Sequence, residues 1–433
     1  MMGRNVRESG ALAGASKLAR ALFSTLARQT ADPPGVTRIS YGPGERRAFE
    51  IVAAAARDWN AEVVFDAAGN QFITLPGRDR ARTIYVGSHL DSVPHGGNYD
   101  GAAGVVMGMA AQSMLAADED PPFCDLTVAC LRAEESCWFP HSYIGSQAAV
   151  GRLDPAVLDA VRRSDTGRSL AEHMREEGFD PDAVRRGRSL ITPERALAYI
   201  EPHIEQGPVL IAEELPVAIV TGIRGSVRYR EARCIGEYAH SGATPRRLRR
   251  DAVVAAAGFV NAAQDLWDRM ERDGHDVVLT FGIVETDLAQ HSFSKVSGGV
   301  HLCVDVRSQS VATLQEARIE LAGLAAGIAS RHGVQIDLGP MSGSEPASMS
   351  PRLVSIFQTA CGGIDTRPYL MASGAGHDAA TFAHAGIPSV MIFIRNSNGS
   401  HNPDESMEMA DFDRALQLLV AALKAPAKQW SAG

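Results

Sequence analysis

The sequence predicts an α/β protein: a discontinuous domain with a mostly parallel sheet sandwiched by helices, and a second domain inserted into it. Two continuous apolar runs, at residues 83–87 and 126–131, predict buried strands, and the small apolar stretch 101–117 between them predicts a helix. Strands that alternate with helices in this way favour a parallel sheet. Between residues 222 and 338 the order becomes βαββαβ, which is typical of a ferredoxin-like unit.

The first part of the chain leads up to this sheet. Residues 1 to about 15 are expected to be disordered or loosely held, and residues 18–26 and 45–59 have helical spacing. Residues 61–75 predict two short strands around an Ala-Ala-Gly-Asn turn, which is a hairpin signal. After the central strands, residues 151–197 are helical and charged, and residues 216–221 predict a strand. We place a domain boundary near Gly222.

The inserted domain has clear helix and strand signals. Its second helix begins at Thr313, with Glu316 three residues later at capping-box spacing, and ends at Gly333. The strands are predicted at 226–237, 276–285, 299–308 and 334–338, and the helices at 251–273 and 313–332.

The α/β pattern returns after Gly339. The predicted helices are 353–361, 378–385 and 411–424, and the buried strand is 388–394. The domains are therefore predicted as 1–221 with 339–433, and 222–338.

Composition limits the classes of protein and partner. Apolar residues make up 45% of the 433-residue chain and charged residues 21%, which is typical of a soluble globular protein of two domains. The net charge of −9 argues against nucleic acid or an anionic membrane as a partner. No stretch reaches the roughly 18 apolar residues of a membrane-spanning helix, and no signal peptide is evident. The six cysteines lack a Cys-x-x-Cys pair, which predicts reduced thiols and a cytoplasmic protein.

Candidate metal ligands follow the strands of the main domain. His89 ends one predicted strand, Glu135 follows the next, and His401 lies in the loop after the last. Since loops at one edge of a sheet converge, we expect these side chains to meet Asp100 and His203 there. Imidazole and carboxylate groups bind divalent cations. The five residues predict two cations about 3.5–4 Å apart that share Asp100.

Two carboxylates beside these ligands have other predicted uses. Asp91 follows His89 by two residues, so in an extended segment it can accept the free ring N–H of His89. Glu134 could take a proton from a metal-bound water, whose pKa a metal lowers towards about 7. A His-x-Asp or Glu-Glu pair alone is more often an ordinary polar segment. The prediction therefore depends on the motifs occurring together.

These motifs resemble those of the M20-type metallohydrolases, specifically the amidase (hydantoinase/carbamoylase) branch. That branch contains N-carbamoyl-L-amino-acid hydrolases, β-ureidopropionases and allantoate amidohydrolases. The resemblance extends from residues 35–38 to residues 401–405. It is carried by Gly-Ser-His-Leu-Asp-Ser-Val-Pro at 87–94, Asn-Tyr-Asp-Gly at 98–101, Glu-Glu at 134–135, His-Ile-Glu-Gln-Gly-Pro-Val-Leu at 203–210, and Ser-Gly-Ala-Gly-His-Asp-Ala at 373–379.

The resemblance implies a dinuclear centre with two divalent metal ions per subunit, Zn²⁺ or Mn²⁺, Co²⁺ or Ni²⁺. It implies Glu134 as general base and Asp91 as the residue that orients His89. The implied ligand sets are His89, Asp100 and His203 for one ion, and Asp100, Glu135 and His401 for the other.

The resemblance also implies that the inserted domain is a lid, and that two chains form a homodimer through this domain. The segment 236–245 resembles the one whose His reaches the partner subunit's site, so His240 would donate to the oxyanion. Arg307 would bind the substrate carboxylate through its planar guanidinium, and His377 would contact the substrate. A His in a turn and an Arg on a solvated strand are the ordinary alternatives for His240 and Arg307.

One region departs from the carbamoylase pattern. Ser294 stands where those enzymes usually carry an Asn that helps to bind the carboxylate, and Arg224 stands where small or apolar residues are commoner. Arg224 and Lys295 could supply positive charge for a different or larger acid. The chemistry is therefore better specified than the substrate.

The sequence predicts a binuclear metal amidohydrolase that cleaves the C–N bond of a small N-carbamoyl or ureido acid. A metal-bridged hydroxide would attack, with Glu134 as base. The alternatives are allantoate amidohydrolase or β-ureidopropionase activity, or an M20 peptidase or N-acyl-amino-acid deacylase, which His203 and His377 disfavour. A non-catalytic binding protein is disfavoured because every ligand and Glu134 are retained.

Overall fold

A computed structural model describes the chain from Met2 to Trp430, with side chains from residue 10 onwards. The chain folds into two compact units. The first comprises the chain up to Thr221 together with the chain from Met349 onwards, and the second comprises Gly222–Ser348. The second unit thus ends at Ser348 and not at residue 338, the predicted boundary.

Strands occur along most of the chain. In chain order they are β1 (Ala31–Asp32), β2 (Gly35–Val36), β3 (Glu62–Phe65), β4 (Gln71–Leu75), β5 (Asp79–His89), β6 (Cys124–Leu131), β7 (Ala196–Ile204), β8 (Val217–Ile223), β9 (Gly225–Ile235), β10 (Ala239–His240), β11 (Val278–Thr286), β12 (Lys295–Val296), β13 (Gly299–Ser308), β14 (Gln335–Asp337), β15 (Met341–Ser344), β16 (Ala347–Ser348), β17 (Leu370–Ser373) and β18 (Ser389–Ile394).

Helices connect these strands, together with 3₁₀ turns at Ala56–Trp59 and Arg246–Leu248. In chain order they are α1 (Met2–Gln29), α2 (Pro43–Ala55), α3 (Ala102–Ala116), α4 (Ile144–Ala149), α5 (Pro155–Ala160), α6 (Leu170–Glu176), α7 (Pro181–Arg185), α8 (Val209–Ala212), α9 (Ala252–Arg272), α10 (Val311–His332), α11 (Pro351–Gly363), α12 (Asp378–His384), α13 (Met409–Leu423) and α14 (Ala427–Trp430).

The first unit is built on a large mixed sheet that contains the strand order β8-β18-β7-β5-β6-β4-β3. The four neighbours β18, β7, β5 and β6 pair in parallel, and the strands on either side of them pair antiparallel. The sheet is therefore parallel at its centre and not for most of its width. Strands β3 and β4 are joined by residues 66–70 alone, whereas a parallel pair needs a crossover of about a dozen residues.

The central strands form the core of this unit. Val86, Val128 and Ile200 lie side by side in register and are fully buried, which explains the continuous apolar runs of their strands. Helix α3 packs on β5, β6 and β7. Gly104 allows this close approach, since a Cβ there would lie 2.2 Å from the carbonyl oxygen of Pro202.

Helix α1 differs from the expectation of a disordered N-terminus, because residues 2–15 belong to one helix that continues to Gln29. Its buried side chains recur every three or four residues, at Ala15, Ala19, Leu22 and Leu26. This spacing places them on one face of a helix, which packs on α3 and α13. This stripe begins at Ala15 and accounts for the packing of the second half of the helix.

The second unit has an antiparallel sheet with the strand order β11-β13-β9-β14. Its elements follow as β9, α9, β11, β13, α10 and β14, and both long helices contribute to one apolar core with the sheet. Strand β15 then pairs with β9, with Met341 opposite Tyr229. This pairing keeps the chain in the second unit beyond residue 338.

In the chain from residue 2 to residue 430, we find no helix with both the length and the apolar character needed to span a membrane.

Candidate metal centre

The four parallel strands at the centre of the first unit deliver the predicted ligands to one edge of the sheet. His89 is the last residue of β5 and His203 is the penultimate residue of β7. Glu135 follows β6, and His401 lies in the loop that follows β18. The carboxyl ends of adjacent parallel strands are where an open α/β sheet places its site.

Asp100 comes from the loop between β5 and α3. The next residue, Gly101, has φ +63°, and a Cβ there would lie 2.5 Å from the ring of His89. Only glycine fits this combination of backbone conformation and close contact. Gly101 therefore lets the loop turn tightly enough for Asp100 to lie against His89.

Asp100 is shared by two groups of potential ligands. Its Oδ1 lies 3.2 Å from Nε2 of His203 and 3.7 Å from Nε2 of His89. Its Oδ2 lies 3.2 Å from Nε2 of His401, which is itself 3.4 Å from Oε1 of Glu135. In each group the ligand atoms lie within 4.8 Å of one another. The two groups are those implied by the family resemblance, and each could hold one metal ion.

The buried imidazoles are oriented by their other nitrogen atoms. Nδ1 of His203 lies 2.9 Å from the carbonyl oxygen of Ile204, and Nδ1 of His89 lies 3.1 Å from the carbonyl oxygen and 3.3 Å from Oδ1 of Asp91. An acceptor on Nδ1 places the ring proton there and leaves the Nε2 lone pair for a cation. When Nε2 of His203 carries no proton, its lone pair can accept the backbone N–H of Gly101 at 3.2 Å.

Asp91 has more partners than the sequence indicated. Its carboxylate is fully buried and accepts the hydroxyl of Ser40 at 2.7 Å. It also accepts the backbone N–H groups of Glu134 and Glu135, at 3.2 and 3.1 Å. Asp91 therefore connects His89 to the Glu134–Glu135 segment.

The imidazoles hold protons strongly because carboxylates surround them. Burial works to lower the pKa of His89, but the nearby carboxylates, with Glu134 foremost, raise it well above its ordinary value. The hydrogen bond with Asp100 raises the pKa of His401 to about 9. Burial would raise the pKa of Asp100, yet its bonds with His203 and His401 bring it well below the usual range.

Glu134 and Glu135 differ from Asp100, because their pKa values are raised. Burial raises the pKa of Glu134 well above its ordinary value, and burial followed by the charge of Asp100 raises the pKa of Glu135 to about 7. Added positive charge would stabilise the ionised form of these buried carboxylates. Nitrogen and oxygen ligands also suit Zn²⁺, Mn²⁺, Co²⁺ and Ni²⁺. The residues present therefore fit divalent cations.

Glu134 and His377 lie beside these groups. The side chain of Glu134 is 11% exposed, and its Oε2 is 3.9 Å from Nε2 of His89. His377 is buried, with its ring centroid 4.5 Å from that of His203 and its Nε2 3.1 Å from the Ser373 hydroxyl. Burial and the neighbouring His203 lower the pKa of His377 well below its ordinary value, so its ring is neutral.

The remaining predicted residues belong to the second unit. His240 is exposed and lies opposite Lys295 in the β10–β12 pair. Its Nδ1 accepts the backbone N–H groups of Gly242 and Ala243, both at 3.1 Å. The ring proton of the neutral imidazole is therefore on Nε2, which is available as a donor. Ser294 is exposed, and its carbonyl oxygen accepts the N–H of the residue after His240 at 3.0 Å.

The three positive side chains of this unit that were singled out from the sequence, at Arg224, Lys295 and Arg307, are held by acidic or polar partners. Arg307 donates to Asp305 at 2.9 Å, and Arg228, on the neighbouring strand β9, donates to the same carboxylate at 3.3 Å. Arg224 forms a two-pronged ion pair with Asp276, with Nε 3.0 and 3.1 Å from its two oxygens. The suggestion that Arg224 offers spare positive charge to a substrate is therefore weakened, because Asp276 balances that charge.

Lys295 is engaged in a similar way. Its Nζ donates to the carbonyl and side-chain oxygens of Gln290 at 2.8 and 3.0 Å, and it lies 4.5 Å from the ring centroid of Tyr238. These contacts hold the loop before β12. They account for a lysine at position 295 without any contact to a substrate.

Three residues that contact Asp100 were not singled out from the sequence. The amide of Gln206 donates to Oδ2 of Asp100 at 3.0 Å, and the hydroxyl oxygen of Ser400 lies 2.7 Å from the same Oδ2. Glu405 accepts the backbone N–H of Asp100 at 3.1 Å. Gln206 and Glu405 lie within motifs that carry the family resemblance, at 203–210 and 401–405. Their place in these motifs was the sequence signal that could have assigned them to the site.

The buried Arg38 is a further residue that sequence reasoning did not assign. Its Nε donates to the carbonyl oxygen of Leu90 at 2.7 Å, and its Nη1 donates to Asn98 at 3.2 Å. The backbone N–H of Ser92 donates to its carbonyl oxygen at 3.0 Å. Arg38 therefore braces the loop that ends in Asp100.

Comparison with known proteins agrees with this arrangement. Residues 85–425 match the family described as Peptidase family M20/M25/M40. N-carbamoyl-L-amino acid amidohydrolase of Geobacillus stearothermophilus is 33% identical over 374 residues, which are 86% of this chain and 88% of that protein. Allantoate amidohydrolase of Escherichia coli (strain K12) is 32% identical over 403 residues, 91% of this chain and 93% of that protein.

A solved structure shows the same fold. The crystal structure of an amidase of the hydantoinase/carbamoylase family from Burkholderia multivorans superposes with a TM-score of 0.85. The two sequences are 27% identical, and the match covers 94% of this chain and 97% of the other.

Proposed function

Because this chain belongs to the peptidase family M20/M25/M40, we propose that it is a metal-dependent amidohydrolase that cleaves a C–N bond of an N-carbamoyl or ureido acid. The observation that carries the proposal is the sharing of Asp100 between two groups of ligands, with Glu134 beside them. The relatives from Geobacillus stearothermophilus and Escherichia coli (strain K12) are named as amidohydrolases of N-carbamoyl-L-amino acids and of allantoate. Both substrates carry a ureido-type group and a carboxylate.

We propose that two divalent cations bind in each subunit. When bound, such cations polarise a scissile carbonyl and lower the pKa of a water towards about 7. The residues that would hold them are His89, Asp100 and His203 for one, and Asp100, Glu135 and His401 for the other.

Glu134 is proposed as the general base. Its carboxylate would take the proton of the attacking water and deliver it to the leaving nitrogen. Burial, which raises its pKa, favours a carboxyl that can both accept and return a proton. Asp91 would orient His89 and, through the backbone N–H groups of residues 134 and 135, the base itself.

The second unit is proposed as a lid and as the dimer interface. His240, which has Nε2–H as its donor, would stabilise the oxyanion in the partner subunit's site. Strand β11 is the terminal strand of its sheet and exposes Ile283 and Val284. An exposed apolar edge strand is a surface that another chain can cover, which supports a homodimer through this unit.

Arg307 is proposed to bind the substrate carboxylate, since a guanidinium can pair with both oxygens of an acid. The Asp305 carboxylate would hold it in place. Ser294, where carbamoylases usually carry an Asn, has a shorter side chain and would leave more room for the acid. The substrate is therefore proposed to be either an N-carbamoyl amino acid or allantoate.

Peptidase or N-acyl deacylase activity is the second candidate, and His203 in place of a carboxylate disfavours it.

A hydrolysis panel tests the proposal. N-carbamoyl α- and β-amino acids, allantoate and N-acyl amino acids are incubated with the metal-loaded protein, and released ammonia and amine are measured. We expect turnover of at least one ureido acid, and its loss in Glu134→Ala with metal content retained. Glu213→Ala, at an exposed glutamate, serves as the control. Turnover of N-acyl amino acids alone would favour the second candidate, and unchanged activity in Glu134→Ala would exclude Glu134 as the base.

A further inference from the structure

Glu405 joins two parts of the chain that are about three hundred residues apart. Its Oε1 accepts the backbone N–H groups of Tyr99 and Asp100, at 2.8 and 3.1 Å. Glu405 is 6% exposed. A Cβ added to Gly97 would lie 2.2 Å from Cδ of Glu405. Gly97 therefore makes room for Glu405, which fixes the backbone of Asp100 from the loop that carries His401.

The second oxygen of Glu405 faces a hydroxyl that has two acceptors. Oγ of Ser400 lies 2.6 Å from Oε2 of Glu405 and 2.7 Å from Oδ2 of Asp100. A hydroxyl has one proton to donate, so it can serve one of these carboxylates at a time. Oδ2 of Asp100 is also the oxygen nearest to His401, on the side where the second cation is proposed to bind.

We infer that Glu405 is a positioning residue for Asp100: it holds the backbone of Asp100 and accepts the Ser400 O–H, so that Oδ2 of Asp100 is open to a cation. This inference rests on the proposed metal centre. Because Oε2 of Glu405 lies 2.6 Å from the Ser400 hydroxyl, the Ser400 proton has an acceptor other than Asp100. Oδ2 of Asp100 then has one donor fewer, with the Gln206 amide still at 3.0 Å. Glu405 thereby contributes both to the place of the shared carboxylate and to its capacity as a ligand.

Glu405→Gln separates these two contributions. The amide oxygen can still accept the N–H groups of Tyr99 and Asp100, so the backbone contact is retained. The amide NH₂ would then donate to Oγ of Ser400, and the Ser400 proton would be directed to Asp100. The substitution should weaken metal binding at the Asp100–Glu135–His401 group, although it leaves the loop in place.

Ser400→Ala removes the competing proton, so the double variant Ser400→Ala/Glu405→Gln should recover the affinity. Glu405→Ala also loses the contact with the two backbone N–H groups, and adding Ser400→Ala should not restore that loss. Ser400→Ala should thus restore affinity when it is added to Glu405→Gln and not when it is added to Glu405→Ala. This difference is expected only if residue 405 decides which acceptor receives the Ser400 proton. A loss of packing alone would not produce it.

The experiment is titration of the metal-stripped full chain with Co²⁺, followed by visible absorption and by equilibrium dialysis. We expect two Co²⁺ per native chain. Glu405→Gln should lose about 10- to 100-fold in the weaker binding step, the usual effect of a residue that orients a ligand, and the double variant should bind within about threefold of native. Thermal melts confirm that each variant is folded.

Each other outcome contradicts the inference. Native affinity in Glu405→Gln would overturn it, and so would a double variant as weak as Glu405→Gln. A Glu405→Gln chain that does not fold and is not rescued by Ser400→Ala would also overturn it, because the backbone contacts are expected to survive. Failure of the native chain to bind Co²⁺ would overturn the proposed metal centre and this inference with it. Native binding with unaffected variants would overturn this inference alone.

Discussion

The carboxylate of Asp91 lies 3.3 Å from Nδ1 of His89 and also accepts the backbone N–H of Glu135 at 3.1 Å. One buried carboxylate thus holds a ligand at the end of β5 and the segment that follows β6. A change at Asp91 is therefore expected to disturb both sides of the site together.

The first prediction concerns Asp91→Asn. An amide cannot accept the ring proton of His89 and both backbone N–H groups, so we expect a loss of about 10- to 100-fold in metal affinity and in kcat/KM. Metal content after dialysis and initial rates at several metal concentrations measure the two effects. Asp32→Asn is a matched control, since Asp32 lies 3.4 Å from Nδ1 of His95 but both side chains are about half exposed. Equal behaviour of the two variants would contradict the assigned role.

The second prediction concerns a buried ion pair beside the Glu134–Glu135 segment. Arg132 pairs with Glu45, and both side chains are at most 2% exposed. Glu45 also accepts the N–H of Ala133, at 3.2 Å. Removing one partner of a buried pair leaves an uncompensated charge, so Glu45→Gln should lower the free energy of unfolding by about 3–5 kcal/mol.

Urea denaturation measures this loss. Glu62→Gln breaks a pair with Arg80 in which both side chains are about half exposed, and its effect should lie within the error of the measurement. A small effect at Glu45 would show that the Arg132 guanidinium is stabilised by other contacts, such as the ring of Phe49 at 4.2 Å.

Much of this arrangement follows from local signals in the sequence. Continuous apolar runs predict the central strands, and ligands such as His89 and Glu135 lie at or just after strand ends. Parallel neighbours bring such positions together whatever their separation along the chain. This is why the five ligands could be expected to meet before the fold was known, whereas their division into two groups around Asp100 was implied by the family resemblance.

Other features depend on partners that a linear pattern does not reveal. Ser400 bonds to Asp100 across 300 positions, and Arg224 is balanced by Asp276, 52 positions away. The antiparallel flanks of the sheet and the continuation of the second unit to Ser348 likewise depend on pairing register. A hydrogen-bond partner is set by the fold, so sequence reasoning listed Arg224 as a spare charge and left Ser400 out.

The third prediction concerns protons released on metal binding. In the metal-stripped protein, the bond with Asp100 raises the pKa of His401 to about 9, so this imidazole is protonated at pH 7. A ligand imidazole must be neutral, and binding must therefore expel the proton. Apparent metal affinity should rise with pH, and the part of the rise that belongs to His401 should be complete above about pH 9, where His401 loses its proton without help from the metal.

Isothermal titration in two buffers with different ionisation enthalpies counts these protons. We expect at least one proton released per chain at pH 7, and fewer in His401→Ala. Glu135, whose pKa burial and Asp100 raise to about 7, should add a fraction of a proton that disappears above pH 8. Metal binding with no proton release at pH 7 would contradict the assignment of His401 as a ligand.

The last prediction tests whether His240 acts in the partner subunit's site. Nδ1 of His240 is occupied by two backbone N–H groups, which leaves Nε2–H as the donor for a substrate or another chain. If it serves the partner, His240→Ala and Glu134→Ala chains are each inactive alone. Mixed and reassociated, they form a dimer in which one site combines an intact Glu134 with the partner's intact His240. Random pairing makes about half of the dimers mixed, each with one working site, so about a quarter of native activity should return. His240→Ala mixed with itself controls for the reassociation step, and an inactive mixture that contains mixed dimers would place His240 outside the partner's site.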